Sequence, residues 1–288
     1  MSDTPALGFL PPEWFTRALA VPCESRYVDA GGTAIHYLIW NEHETHKPGL
    51  VLAHGFRAHA RWWSFIAPFF IERFRVVAFD FSGMGDSGNR DEYTDESYAR
   101  DIVAVIDAAG FDRPVVVGHS FGGGRVLQAC AQHPSKVGRA IIVDSRVQLH
   151  DGEQKLPELR AKKIYPTYEA ARARFRLIPP DNRAAPYVIN YVAEHSIKRV
   201  DDGYTWKFDD TGPRRVVHRN VAGMLRRIET PVSYIYGDHS LVVSHEHAAE
   251  IVAHIPNSRG PIAIPESHHH VMLDQPLSLI ATLRALLY

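Results

Sequence analysis

The sequence predicts an α/β protein with a mostly parallel central sheet and helices on both faces. Three observations carry this. Short apolar runs alternate with amphipathic helical stretches, several of the runs are continuous and β-branched, and the alternation resumes after one long interruption. A run such as 114–118 (PVVVG) shows no polar alternation, as a strand covered on both faces requires.

The elements follow in order. After a proline-containing lead-in, 33–40 (TAIHYLIW) and 49–54 (GLVLAH) read as strands, the second ending at His54-Gly55. Residues 61–74 place Trp62, Phe65, Ile66, Phe69 and Phe70 at helical spacing, so a helix is expected before the strand 75–80 (RVVAFD). Between 95 and 109, Tyr98, Ile102, Val105, Ile106 and Ala109 make one helical stripe. Beyond 114–118, a helix through Val126, Leu127 and Cys130 reaches His133, where Pro134 discourages continuation, and 139–144 (RAIIVD) gives the next strand.

The pattern breaks over 145–230, which mixes helical stretches, Pro179-Pro180 and the polar segment 201–213. It resumes with strand 231–236 (PVSYIY), a helix around 245–254, strand 260–265 and a final helix carrying Leu279, Ile280, Leu283 and Leu286. The expected organisation is a core domain in two parts, 1–144 and 231–288, interrupted by a mainly helical insertion at 145–230. That insertion is too long for a plain connection. No internal repeat supports a solenoid or propeller.

Composition narrows the function. The chain has 288 residues, 45% hydrophobic and 23% charged, ordinary values for a globular protein. Its 32 Lys+Arg balance 33 Asp+Glu, leaving no positive field to hold nucleic acid or an anionic membrane, and a small neutral partner is expected. Two cysteines, Cys23 and Cys130, imply no disulfide framework, and Cys130 reads as a buried reduced thiol. Residues 1–20 lack a basic start followed by an apolar core, and no run of about 18 apolar residues occurs, so the default expectation is the cytoplasm. Of the 17 histidines, three are consecutive, His268, His269 and His270. Without a ligand-spaced set of cysteines or carboxylates, they are expected to be surface histidines plus one working imidazole, and no metal site is expected.

Gly118-His119-Ser120-Phe121-Gly122 matches G-x-S-x-G directly between a strand and a helix, the context a nucleophile elbow needs. The sharp turn strains the serine backbone, and glycines two residues to either side remove side chains that would collide. The adjoining helix N-terminus offers amide N–H groups and a positive dipole end to a developing oxyanion. Further motifs stand in register: His54-Gly55-Phe56 after one strand, the segment 80–87 (DFSGMGDS) after the next, and His269 followed by Leu273-Asp274-Gln275-Pro276.

In that order these motifs resemble the α/β-hydrolase family, over roughly residues 27–144 and 231–288. The resemblance implies a serine hydrolase of esterase-like type with Ser120 as nucleophile, no metal and no organic cofactor. It also implies an oxyanion hole made by the backbone N–H groups of Phe56 and Phe121, and a cap over the site at 145–230. The base is a histidine five residues before an acid that precedes x-Pro; counting back from Asp274 reaches His269, with His268 the rival.

The acid departs from the family pattern. The usual position, third after the glycine ending the penultimate strand, is Ser240 here, and a serine cannot supply fixed negative charge opposite an imidazolium. Asp144 at the end of strand 139–144 is the preferred replacement, with Asp238 as the alternative. Asp144 also has a plain structural reading, as a turn or cap residue. His54 and the segment 80–87 are expected to order loops.

In the insertion, Tyr165, Tyr168, Phe175, Tyr187, Tyr191, Tyr204, Trp206 and Phe208 either line an apolar pocket or form the insertion's own core. Arg57, Arg125 and Arg146 fall near the expected mouth, where they would suit a carboxylate. The function expected is hydrolysis of an ester or related bond of a small molecule with an apolar or aromatic acyl group, through an acyl-enzyme. Two alternatives stay open: hydrolysis of carbon-carbon bonds in ring-cleavage products, and a ligand receptor that keeps the fold and signals by cap movement. Oligomeric state is not legible.

Overall fold

The structure is a computed structural model that describes residues 10–150, 161–211 and 221–288, together with the backbone of 214 and 215. The chain begins with helix α1 (Glu13–Leu19) and continues through β1 (Glu24–Asp29), β2 (Ala34–Trp40), β3 (Gly49–Ala53), β4 (Arg75–Phe79) and the two-residue β5 (Tyr93–Thr94). Next come α2 (Asp95–Ala108), β6 (Val115–His119), α3 (Phe121–Gln132) and β7 (Arg139–Val143). Within 145–230 lie α4 (Tyr168–Arg172), α5 (Pro186–His195), β8 (Ile197–Val200), β9 (Gly203–Trp206), β10 (Arg214–Arg215) and α6 (Ala222–Leu225). The chain closes with β11 (Val232–Gly237), α7 (His245–His254), β12 (Ser258–Ile264), α8 (Val271–Asp274) and α9 (Pro276–Leu287).

Eight strands form one sheet in the order β1-β2-β4-β3-β6-β7-β11-β12. β2 runs antiparallel to β1 and β4, and every other neighbouring pair is parallel. The central strands explain why their sequences read as unbroken apolar runs. Val51 and Ala53 of β3 face a core shared with α2 and α3, while Leu50 and Leu52 face the opposite core with the aromatic residues after β3 and helix α9. All four are fully buried, and each such leucine or valine contributes roughly 1.5–3 kcal/mol from water exclusion. Sheet position follows from this: strands buried on both faces sit in the middle, and their C-terminal ends open onto one edge.

Two stretches differ from the expectations. Residues 61–74 are not an α-helix but two 3₁₀ turns, Ala60–Trp63 and Ala67–Phe70. Pro68 sits in the first turn of the second and lacks the N–H that a continuing helix would use. Trp62, Trp63, Phe65, Ile66 and Phe70 are all buried, so this segment is apolar all round instead of amphipathic. The second difference lies in the polar segment 201–213, which contributes β9 to a hairpin with β8, closed by Asp201 and Asp202 with Gly203 at φ 138°. In the lead-in, α1 docks Phe15 against Tyr187 of α5 (ring centroids 4.8 Å) and Phe65 (5.2 Å), and β1 edges the sheet.

Candidate active site

The turn between β6 and α3 holds Ser120 at φ 52° and ψ −120°, a left-handed conformation that a side-chain-bearing residue adopts only when its surroundings enforce it. The Ser120 N–H is bound to the Val143 carbonyl at 2.9 Å, tying the turn to β7. A Cβ on Gly118 would lie 2.7 Å from the Gly122 carbonyl oxygen, and one on Gly122 would strike the His54 carbonyl. Both glycines are therefore dictated by the close approach of backbone. Phe121 opens the 12-residue α3, whose first N–H groups have no acceptor within the helix.

Asp144, the residue after β7, is fully buried at φ 46°. β7 and β11 are adjacent, and the Asp144 N–H reaches the Ile235 carbonyl at 2.8 Å. Its carboxylate accepts three bonds: His269 Nδ1 at 2.6 Å and Ser240 Oγ at 2.8 Å on Oδ1, and the Gly237 N–H at 2.8 Å on Oδ2. Because Nδ1–H donates to the carboxylate, His269 Nε2 keeps its lone pair toward Ser120 Oγ, 2.8 Å away. Ser120, His269 and Asp144 thus form one hydrogen-bonded chain. Asp238 is exposed, with its Oδ1 3.2 Å from the Ser267 N–H.

The loop register that selects His269 has a physical cause. Asp274 Oδ2 accepts the His268 N–H at 2.8 Å and Oδ1 accepts the Arg183 N–H at 2.9 Å, so the acid five residues downstream clamps the loop just before His269. The His268 ring lies beside Asp274 and away from Ser120, Nδ1 to Oδ2 being 3.4 Å. His270 is buried beside His269, contrary to the surface placement expected of it: the loop turns inward onto Trp62, whose ring centroid is 5.6 Å from that of His270.

Neighbouring loops are braced by Asp80. It takes the Ala60 N–H at 2.6 Å, the Asp86 N–H at 2.9 Å and His36 Nδ1 at 2.7 Å. Burial disfavours its charge, yet the His36 bond and nearby imidazoles prevail and bring the carboxyl down to about 2. His54 Nε2 accepts the Phe81 N–H at 3.1 Å, a structural bond. Gly55 backs onto the serine, where a Cβ on it would lie 3.3 Å from Ser120 Cβ.

Above Ser120 opens a cavity of about 570 Å³. Tyr165, Phe175, Trp206 and Phe208 line it, whereas Tyr187 and Tyr191 pack on Phe15, and Tyr168 packs on Tyr204. The aromatic set divides between pocket wall and core. Arg57 lines the cavity but pairs with Asp210 at 2.7 Å and sits over Phe208. Arg125 is paired with Asp95 over the Phe121 ring, and Arg146 is exposed outside the lining, so these arginines do not form a shared anion site. Lys162, Lys163 and Lys198 also border the cavity, a cationic rim that composition alone does not reveal.

Sequence reasoning missed Ser240 as a donor to Asp144 and Tyr234, whose hydroxyl donates to the Ser145 carbonyl at 2.6 Å and accepts its N–H at 3.1 Å. The signal for Ser240 was its place at the usual acid position. For Tyr234 nothing in a strand run distinguishes a supporting phenol.

Fold, elbow and hydrogen-bonded chain together define a hydrolase. The chain belongs to the alpha/beta hydrolase family, whose model matches residues 50–283. Among curated relatives, the esterase Rv0045c of Mycobacterium tuberculosis is 25% identical over 282 residues, covering 92% of this chain and 89% of that protein. The monoacylglycerol lipase of Mycolicibacterium smegmatis is 29% identical over 136 residues, 45% of this chain and 49% of the lipase, so that match spans about half of each. Among solved structures, the thioesterase domain from the curacin biosynthetic pathway shares the fold with a TM-score of 0.76 at 20% identity, covering 91% of this chain and 99% of that domain.

Proposed function

We propose that the protein is a serine esterase working through an acyl-enzyme, with Ser120 as nucleophile, His269 as general base and Asp144 as the acid of the triad. The observation that carries this reading is the continuous hydrogen-bond chain, Ser120 Oγ to His269 Nε2 at 2.8 Å and His269 Nδ1 to Asp144 at 2.6 Å, beginning at a strained elbow. His269 takes the hydroxyl proton as Ser120 attacks the acyl carbon, and the Asp144 charge stabilises the imidazolium and fixes its tautomer. The Phe56 and Phe121 amides receive the oxyanion, each donor supplying on the order of 3 kcal/mol. The imidazolium then protonates the leaving alcohol. A water, deprotonated by the same ring, releases the acid.

The insertion 145–230 acts as a cap over a core formed by 1–144 and 231–288. Tyr165, Phe175, Trp206 and Phe208 favour an apolar or aromatic acyl group. The names of the esterase and lipase relatives favour ester over carbon-carbon hydrolysis. Free Cys23 and Cys130 suit a reducing cytoplasm; burial pushes the Cys130 thiol up to about 12. Among the described residues no helix is long and apolar enough to cross a membrane. Fluorophosphonate labelling followed by peptide mapping tests the reading: the label is expected on Ser120, with steady turnover of p-nitrophenyl esters. Absence of label, or a single slow turnover, contradicts it.

A further inference from the structure

Three imidazoles converge beside Ser120. One nitrogen of each of His119, His269 and His270 lies within 4.8 Å of the others. Their partners fix which nitrogens carry protons. His119 Nε2 faces the His269 carbonyl at 2.9 Å and His270 Nε2 faces the Pro179 carbonyl at 3.1 Å, so both Nε2 atoms carry the proton and donate. Both Nδ1 atoms are left as bare lone pairs, and both are buried with no hydrogen-bond partner among the described residues. His119 is 1% exposed and His270 4%. Two orphaned acceptors on rings whose centroids are 6.0 Å apart are costly and point to a bound group that supplies positive charge or N–H and O–H donors.

We propose that His119, His269 and His270 form a binding site for a borderline transition-metal cation of the Zn²⁺ or Cu²⁺ class, and that occupancy inhibits the enzyme by drawing the His269 lone pair away from Ser120. The inhibitory half rests on the assignment of Ser120 and His269 as nucleophile and base; the binding half does not.

Uncharged imidazole is the ligand such ions select, whereas Mg²⁺ and Ca²⁺ require oxygen. Asp144 on the far nitrogen of His269 is the carboxylate partner that orients metal-binding histidines and raises their basicity. Zinc bonds of about 2.0–2.1 Å set tetrahedral neighbours about 3.4 Å apart, so the nitrogens close by at most about 1.4 Å on binding.

The test is equilibrium dialysis of the chelator-stripped full chain against Zn²⁺ and, separately, Mg²⁺. One Zn²⁺ per chain and no Mg²⁺ is expected. His119→Gln and His270→Gln keep an N–H toward their carbonyls but remove the lone pair, and each is expected to weaken Zn²⁺ binding at least tenfold, roughly the least that losing even an outer partner costs. Circular dichroism confirms that the variants fold. Wild-type protein already phosphonylated at Ser120 is expected to lose the site as well, a comparison that needs no variant. In parallel, the rate of fluorophosphonate labelling is expected to fall with Zn²⁺ occupancy and to recover with EDTA. Absence of bound Zn²⁺, or binding unchanged by both variants and by phosphonylation, overturns the proposal and leaves the two nitrogens to water. If metal-free protein is never labelled at Ser120, the nucleophile assignment fails, while the dialysis still decides the metal site.

Discussion

The loops carrying Ser120, Asp144 and His269 and the described residues between β7 and β11 are held in place by different physics. Each of the three loops leaves a buried strand or is clamped by backbone bonds: Ser120 N–H to Val143, Asp144 N–H to Ile235, and His268 N–H to Asp274. Their geometry is inherited from a sheet that cannot shift without breaking a close-packed core. The described residues between β7 and β11 instead form short helices and the β8–β9 hairpin, docked by scattered contacts such as His59 Nε2 to Ser196 Oγ at 3.0 Å, Arg57 to Asp210, and the Gly85 N–H to the Lys207 carbonyl at 2.7 Å. In the proposed esterase, the difference means that bond-breaking geometry is encoded where strands end, and substrate preference where side chains from a separately held layer meet that edge.

Substitutions in the two regions are therefore expected to differ in kind. Ser120→Ala removes the proposed nucleophile and is expected to lower kcat by about six orders of magnitude without unfolding the chain, as in other serine hydrolases; stopped assays and a thermal melt on the same sample check both halves. Ser240→Ala removes one bond to Asp144 and leaves the Gly237 N–H and His269 in place. A loss of about tenfold in kcat is expected, matching a hydrogen bond to a charged group of roughly 1.5 kcal/mol. Between β7 and β11, Trp206→Ala is expected to raise KM several-fold for aromatic esters while kcat moves less, because the ring lines the cavity but takes no part in the Ser120–His269–Asp144 hydrogen-bond chain. If Trp206→Ala lowers kcat as strongly as Ser240→Ala, the division between the regions is wrong.

Acid stability sharpens the comparison at the junction. Burial holds His59 down to about 3 against an ordinary 6.5, with Asp80 opposing only in part. The native state keeps the ring neutral while the unfolded chain binds a proton below 6.5. Stability is thus fully present above pH 6.5, falls as pH drops toward 3, and levels off below. Asp80, held near 2 against 3.8, adds a further loss below pH 3.8. Melting temperatures across this range are expected to follow that shape, with a shallower fall between 6.5 and 4 in His59→Gln.

Much of the fold is legible because a doubly covered sheet imposes unbroken apolar runs, and Ser120 is legible because its elbow is a local pattern of glycines around a strand-to-helix turn. His269 is legible through Asp274, which fixes its loop from five residues away. The choice between Asp144 and Asp238 is not local, since it depends on β7 lying beside β11 and on how the chain leaves each strand. Residues 61–74 mislead because aromatic side chains at helical spacing are also what an all-round buried pair of 3₁₀ turns presents. The aromatic residues of the insertion give no hint in sequence of which face the cavity, and the burial of His270 depends on a loop turning inward onto Trp62.

The position of the acid tests the account most directly. Asp144→Asn keeps the shape and a hydrogen bond but loses the charge opposite the imidazolium, whereas Asp238 is exposed and turned toward the Ser267 amide. Measured side by side on a p-nitrophenyl ester, Asp144→Asn is expected to lower kcat by up to about four orders of magnitude, and Asp238→Asn by no more than about twofold, the range of a surface substitution within roughly 0.5 kcal/mol. An inactive Asp238→Asn beside a near-normal Asp144→Asn contradicts the account.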